Sequence, residues 1–253
     1  MAGEFRIRLL RLMFEGRYKP ELAYFTLADR AAADFQKQYP EWRRTPNTGI
    51  TLSDYAHRCI LAIRHQSFAY MQDSDDRALA TGRLERILQE LPPALQLPAY
   101  NRLGLRHSVL VPVEMNFESL VAIMTVKLYV DVGPLRNALP GKIDDLLYRL
   151  DGSEGDRKFH LTIAPVKRAE ISAKIVDLAN AGTVDPKKMQ ETIKETEESY
   201  PAVAVFFDVD VYREEAQIGV ESASSFVAAA SQRIDRMVRD TTEYILEMSP
   251  EAK

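Results

Sequence analysis

Residues 202–212 read Ala-Val-Ala-Val-Phe-Phe-Asp-Val-Asp-Val-Tyr, directly after Pro201. β-branched and aromatic residues concentrate there, and Asp208 and Asp210 fall two apart, so alternate side chains turn to opposite faces of a pleated strand. The stretch is expected to be a central strand. Apolar cover for it stands next in the chain. From about Ser222 to Met248 the residues Phe226, Ala230, Ile234, Met237, Val238, Thr241 and Ile245 recur at helical spacing as one continuous stripe. That is a long C-terminal helix suited to lying across a sheet.

Upstream, 143–165 reads as a hairpin. Leu146, Tyr148 and Leu150 share one face, Phe159, Leu161 and Ile163 alternate on the return, and Asp151-Gly152-Ser153-Glu154-Gly155-Asp156 forms the loop between. Residues 184–199 have mixed charge with only Met189 and Ile193 as a stripe, which predicts a short surface helix that connects and adds little core. Tyr100 to Val113 alternates as a strand. Asn116 caps a helix striped by Phe117, Leu120, Val121, Met124 and Leu128. Ser74 is the expected cap of a helix with Leu84, Ile87, Leu88 and Leu91 on one side, stopped by Pro92 and Pro93. Ile50 to Met71 reads as one long strand or a bent strand pair. His57, Cys59, Leu61 and Ile63 point one way and Arg58, Ile60, Ala62 and Arg64 the other, so the sheet is partly covered on both sides.

The pattern predicts an α+β fold. It has a mostly antiparallel sheet, helices packed on one face and a long C-terminal helix, in a single domain with two similar halves, 1–132 and 133–253. With 253 residues, 46% hydrophobic and 28% charged, the chain is of ordinary globular composition and buries enough surface to need no staple. Arg6, Arg8 and Arg11 interrupt the amino terminus, which therefore lacks the apolar run of a secretory signal. The longest apolar run, Leu120 to Val132, contains Lys127 and ends at Asp131, too short and too charged for a bilayer. The single cysteine, Cys59, forms no internal disulfide, so a cytoplasmic location is expected.

Net charge is −4, which argues against general nucleic-acid binding, but it is unevenly spread. Residues 1–113 carry 14 arginines and 2 lysines against 12 acidic residues, a net +4, leaving −8 to the rest. Either the halves attract each other, within one fold or across a dimer, or the first half holds an arginine-lined anion site.

Two groups of residues bear on chemistry. Arg102, Gly104 and Arg106 lie on one predicted strand, with both guanidinium groups on one face about 7 Å apart and the glycine leaving the backbone open to close approach. They either clamp a phosphate or carboxylate or pair with carboxylates of a neighbouring strand. Asp208 and Asp210 are two like side chains on one face and in principle share a magnesium ion. Nucleotidyl transfer also needs a phosphate-binding loop, and no G-x-x-x-x-G-K-[ST] element occurs, so mutual pairing of Asp208 and Asp210 with Arg102 and Arg106 is the favoured arrangement. His57, His65, His107 and His160 all fall on predicted strands without metal-ligand spacing, and there is no G-x-S-x-G elbow. No catalytic residue, metal or cofactor is expected. Cys59 reads as a small buried hydrophobe.

Arg102-x-Gly104-x-Arg106, Asp208-x-Asp210 and the final helix with its Ile234 to Tyr244 pattern resemble a sporadically distributed bacterial and archaeal family of uncharacterised proteins of about this length. The resemblance covers most of the chain. The sequence departs from it at His107-Ser108, where an aromatic residue and then an asparagine would stand. The resemblance implies an α+β fold and a patchy distribution like that of mobile genes, and it assigns no reaction.

Two functions remain open. One is a non-catalytic binding or assembly subunit, with a protein partner or self-association, accessory to a mobile or antiviral defence system. The other is an anion- or nucleotide-binding protein using Arg102 and Arg106, with Asp208 and Asp210 holding a metal for phosphate chemistry. Arg102→Ala separates them: it abolishes ligand binding at nearly unchanged melting temperature if the arginine binds a ligand, and lowers stability if it is structural.

Overall fold

Period-two alternation produces nine strands among the described residues, and in chain order they interleave with helices. The elements are β1 (Arg8–Arg17), α1 (Tyr24–Phe35), β2 (Glu41–Thr45), β3 (Gly49–Asp54), β4 (Cys59–Arg64), β5 (Ser67–Asp73), α2 (Arg77–Ala94), β6 (Tyr100–Pro112), α3 (Phe117–Leu128), β7 (Tyr148–Glu154), β8 (Arg157–Lys167), α4 (Pro186–Lys194), β9 (Val203–Ile218) and α5 (Ala223–Leu246). The computed structural model describes residues 6–20, 22–45, 49–74, 76–129, 143–171, 173, 184–195 and 197–246.

The strands form one antiparallel sheet in the order β2-β3-β4-β5-β1-β6-β9-β8-β7. With the helices this is the α+β fold that the pattern predicts. Reading outward from the central β1–β6 pair, each side runs first strand, last strand of a meander, then the earlier meander strands. The repetition in element order begins at Tyr100. The expected division between residues 132 and 133 lies outside the described residues.

One face carries the main core. Leu12, Phe14, Leu103, Leu105, Val109, Val205, Phe207 and Val209 project from the central strands and meet Ala28, Leu84, Leu120, Phe226 and Ile234 from α1, α2, α3 and α5. The helix α5 ends at Leu246, the last described residue, so the expected extension to Met248 lies outside the described residues. In its stripe Thr242 is buried where the spacing predicts Thr241, and Thr242 Oγ1 donates to the carbonyl of Val238, 2.7 Å away.

Several local expectations differ. Ile50 to Met71 holds three strands rather than one or two, with turns at 55–58 and 65–66, so His57 and His65 sit in turns. Asp54 makes the first turn by accepting from the backbone N–H of His57. The cap of α2 is Asp76, which accepts from Leu79 N at 3.0 Å, while Ser74 Oγ accepts from Asp76 N just before it. Pro92 and Pro93 lie inside the last turn of α2 rather than stopping it, because Leu95 N still reaches the carbonyl of Leu91 and Leu97 N that of Pro92. Most of the expected loop 151–156 is strand, and the turn is Gly155-Asp156 alone. Asn116 caps α3 as expected, accepting from Ser119 N at 2.8 Å.

The short α4 is no mere connector. Met189 and Ile193 are fully buried on the face opposite the main core, against Leu10, Leu110, Ala164, Val166 and Phe206. Two apolar residues four apart suffice, since the strip they cover is narrow. That closes one end of the second face and leaves its centre open.

Gly49 opens β3 at φ +152°, a conformation side chains rarely adopt, and a Cβ there would stand 2.2 Å from the carbonyl oxygen of Ile63. Gly49→Ala is expected to cost about 2 kcal/mol. A thermal melt checks this; an unchanged melting temperature would mean that the β3–β4 ladder yields at this point.

Candidate functional site

The uncovered part of the second face is a shallow basin of about 400 Å³ over β4, β5, β1, β6 and β9. Its floor is apolar: Met13, Ile60, Ala62, Ala69 and Met71. Its rim is charged. Antiparallel register sets the residues in rows across the sheet, one of which runs Met13, Arg106, Asp210, His160, Asp151. The next row runs Glu15, Gly104, Tyr212, Lys158, Ser153.

The structure brings Arg102, Gly104, Arg106, Asp208 and Asp210 together on this face. Arg106 grips Asp208 with both arms, Nε lying 2.7 Å from Oδ1 and Nη2 contacting Oδ2. Ser108 Oγ donates to the same carboxylate at 3.1 Å. The pairing is diagonal, since register places Arg106 directly opposite Asp210. Hydrogen bonding to Asp208 is the largest reason that the Arg106 pKa lies above its ordinary value.

Arg102 goes elsewhere. Its Nη1 is 2.7 Å from Glu15 Oε2 on β1, and Asp210 and Glu214 stand farther off, at 3.4 and 3.5 Å. Its guanidinium lies 4.7 Å from the centre of the Tyr212 ring, on which His160 also stacks at 5.1 Å. Arg17 shares Glu15 at 2.8 Å, and Lys158 reaches Glu214 at 3.3 Å. Burial pushes the Asp210 carboxyl above its ordinary value, against the pull of Arg102 and Arg106. Of the two aspartates, Asp210 is thus the less fully compensated.

A Cβ on Gly104 would meet the Arg102 guanidinium at 3.6 Å, an ordinary contact, so no neighbouring group of the chain demands a glycine there. Among the described residues no three His, Cys, Asp or Glu side chains gather as metal ligands do. The two aspartates on the strand face are held by arginines. On the opposite face, Cys59 is fully buried and Arg83 Nη1 donates to its Sγ at 2.8 Å. Burial nevertheless raises the thiol's pKa to about 12, so Cys59 is no nucleophile near neutral pH.

Glu15, Glu214, Arg17 and Tyr212 belong to the network and were not among the residues expected in it. The available signal was the pair of charges Glu15 and Arg17 ending an otherwise apolar strand, Leu9 to Phe14, interrupted by Arg11. The structure defines an α+β protein whose sheet is helix-covered on one face and bears a charge-paired basin on the other. No helix among the described residues is long and apolar enough to cross a membrane.

No family model and no curated protein matches the chain. Among solved structures, a Methanococcus jannaschii TBP is similar at 15% identity, over 75% of this chain and 99% of that chain, with a TM-score of 0.29. At that TM-score the likeness carries no argument.

Proposed function

We propose that the chain is a non-catalytic binding and assembly subunit, at work in the cytoplasm, which takes a protein partner on the open face of its sheet. The observation that supports this most is the state of the arginines. Arg106 and Arg102 both line the basin, and both are held by carboxylates of the same face. A free anion entering there would have to displace those carboxylates and would leave them partly desolvated. A polypeptide carries both signs of charge and apolar side chains, and it fits a rim of mixed sign over a floor of methionine, alanine and isoleucine.

The anion- or nucleotide-binding reading keeps one observation in its favour, since a basin of about 400 Å³ with two arginines on its rim is large enough for a nucleotide. Titration calorimetry with phosphate, pyrophosphate and ATP, together with native mass spectrometry of the purified chain, decides between the two. The binding-subunit reading expects no saturable heat up to about 1 mM and a mass of more than one polypeptide. Saturable binding of any of these anions that disappears in Arg102→Gln would replace it with the anion reading.

The same variant reports on structure. Arg102 is 15% exposed, and its loss leaves Glu15 to Arg17 and takes from Asp210 the guanidinium 3.4 Å away. The expected cost is about 2 kcal/mol, below that of a fully buried pair because both carboxylates keep some solvent. Urea unfolding measures it.

A further inference from the structure

The strand β7 is one of the two outer strands of the sheet. In β7 the residues are Tyr-Arg-Leu-Asp-Gly-Ser-Glu, 148–154, with no proline, no lysine and no register shift against β8 to blunt the edge. The hairpin closes at Glu154–Arg157 around Gly155, whose φ of +61° matches the first central position of a type II′ turn. A two-residue hairpin of this kind closes on a hydrogen-bonded pair, and such pairs alternate with non-bonded ones. Glu154, Gly152 and Leu150 therefore direct their backbone groups at β8, while Ser153, Asp151 and Arg149 direct theirs outward, where no described strand meets them.

We propose that β7 is a self-association edge, on which two copies pair antiparallel about a two-fold axis at Leu150 and fuse their sheets into one. This rests on the assembly reading above and gives it a surface and a partner. In that register Arg149 of each copy stands opposite Asp151 of the second copy, and these are the outward-directed residues that exchange backbone hydrogen bonds. Leu150, 43% exposed in the single chain, meets its own counterpart on the axis. Tyr148 lies across from Gly152, and the exposed Leu147 across from Ser153. Moving the axis one residue either way sets Arg149 against Arg149 or Asp151 against Asp151, so charge disfavours both neighbouring registers. Within one copy Arg149 reaches Asp151 only at 3.7 Å while His160 Nδ1 holds Asp151 Oδ1 at 2.6 Å, and both Arg149 and Asp151 are more than half exposed, so Arg149 is open to a second copy and Asp151 keeps an exposed carboxylate for it.

The edge is tested by sedimentation equilibrium from about 1 to 100 μM. The native chain is expected to dimerise. Arg149→Asp sets carboxylate against carboxylate at both cross-strand pairs, and Asp151→Arg sets guanidinium against guanidinium; each is expected to weaken the dimer about tenfold or more. An equimolar mixture of the two variants forms a heterodimer, and the double exchange Arg149→Asp/Asp151→Arg dimerises again. Ser153→Pro removes an outward N–H without touching the β8 ladder, and it also dissociates the pair. Circular dichroism melts of the variants confirm that the fold is kept, which the exposure of all three positions favours. A native chain that stays monomeric, or a dimer insensitive to these exchanges, overturns the proposal. In the second case assembly itself survives through another surface, and the anion titration remains its separate test.

Discussion

Asp73→Ala is expected to cost the fold about 3–5 kcal/mol, the largest loss from any single side chain discussed above. Arg11 and Asp73 are 1% and 2% exposed and lie directly across the β1–β5 ladder. Their bidentate contact measures 2.5 Å from Nε to Oδ1 and 2.7 Å from Nη2 to Oδ2. A guanidinium does not shed its proton near neutral pH, so removing the carboxylate takes the bidentate cross-strand contact from a permanent buried charge. Urea unfolding should show a lower midpoint at unchanged slope. The double variant Arg11→Met/Asp73→Leu is expected to recover most of the loss, because neither charge then needs compensation. A loss below about 1 kcal/mol for Asp73→Ala would show that water reaches the pair.

Acid is expected to unfold the protein through His107. This residue stands on β6 with Leu12 and Val209 beside it in register, fully buried on the helix-covered face. Among the described residues neither ring nitrogen has a hydrogen-bond partner. Burial, helped by the nearby Arg77 guanidinium, brings its pKa down from 6.5 to about 3. Above about pH 6.5 the imidazole is neutral folded and unfolded, and its titration leaves stability unchanged. Below that the unfolded chain takes up a proton that the folded chain refuses, and stability falls by about 1.4 kcal/mol per pH unit until about pH 3. Asp210, with its raised pKa, acts in the opposite direction in the carboxylate range. Urea midpoints at pH 7 and pH 5 should therefore differ by about 2 kcal/mol in the native chain. In His107→Leu most of that difference should vanish, and stability at pH 7 should rise by about 1 kcal/mol as an unpaired polar ring leaves the core. An equal acid slope in both proteins would place the titrating group elsewhere.

The central strand was legible because valine and phenylalanine leave a pleated, buried strand as the only economical conformation for 203–211. The strip of α5 was legible for a similar reason: its apolar residues repeat over many turns, so an error of one position, Thr241 for Thr242, does not change the reading. Strand character over 50–71 was legible, but the division into three strands was not, because the turns lack glycine and proline. Arg58 adopts φ +51° there, and Asp54 replaces the missing local signal with a side-chain hydrogen bond. At the site, the common face of Arg102 and Arg106 followed from spacing alone, as did that of Asp208 and Asp210. Which carboxylate meets which arginine did not. Glu15 lies 87 residues from Arg102, and only the pairing of β1 with β6 brings them together. Local sequence also gave no sign that Arg11, inside an apolar run, had a buried partner 62 residues on.

The order of strands governs synthesis as well as shape. β1 is made before its neighbour β6, yet it ends in the middle of the sheet between β5 and β6. By the time α2 has left the ribosome, β1 to β5 have every partner they need on one side, and the other edge of β1 still waits for residues 100–112. The nascent chain thus presents Leu9, Leu12 and Phe14 beside a bare backbone edge while it is being elongated. An unpaired edge beside apolar side chains is the kind of surface on which strands pair wrongly, and it is closed only when β6 arrives.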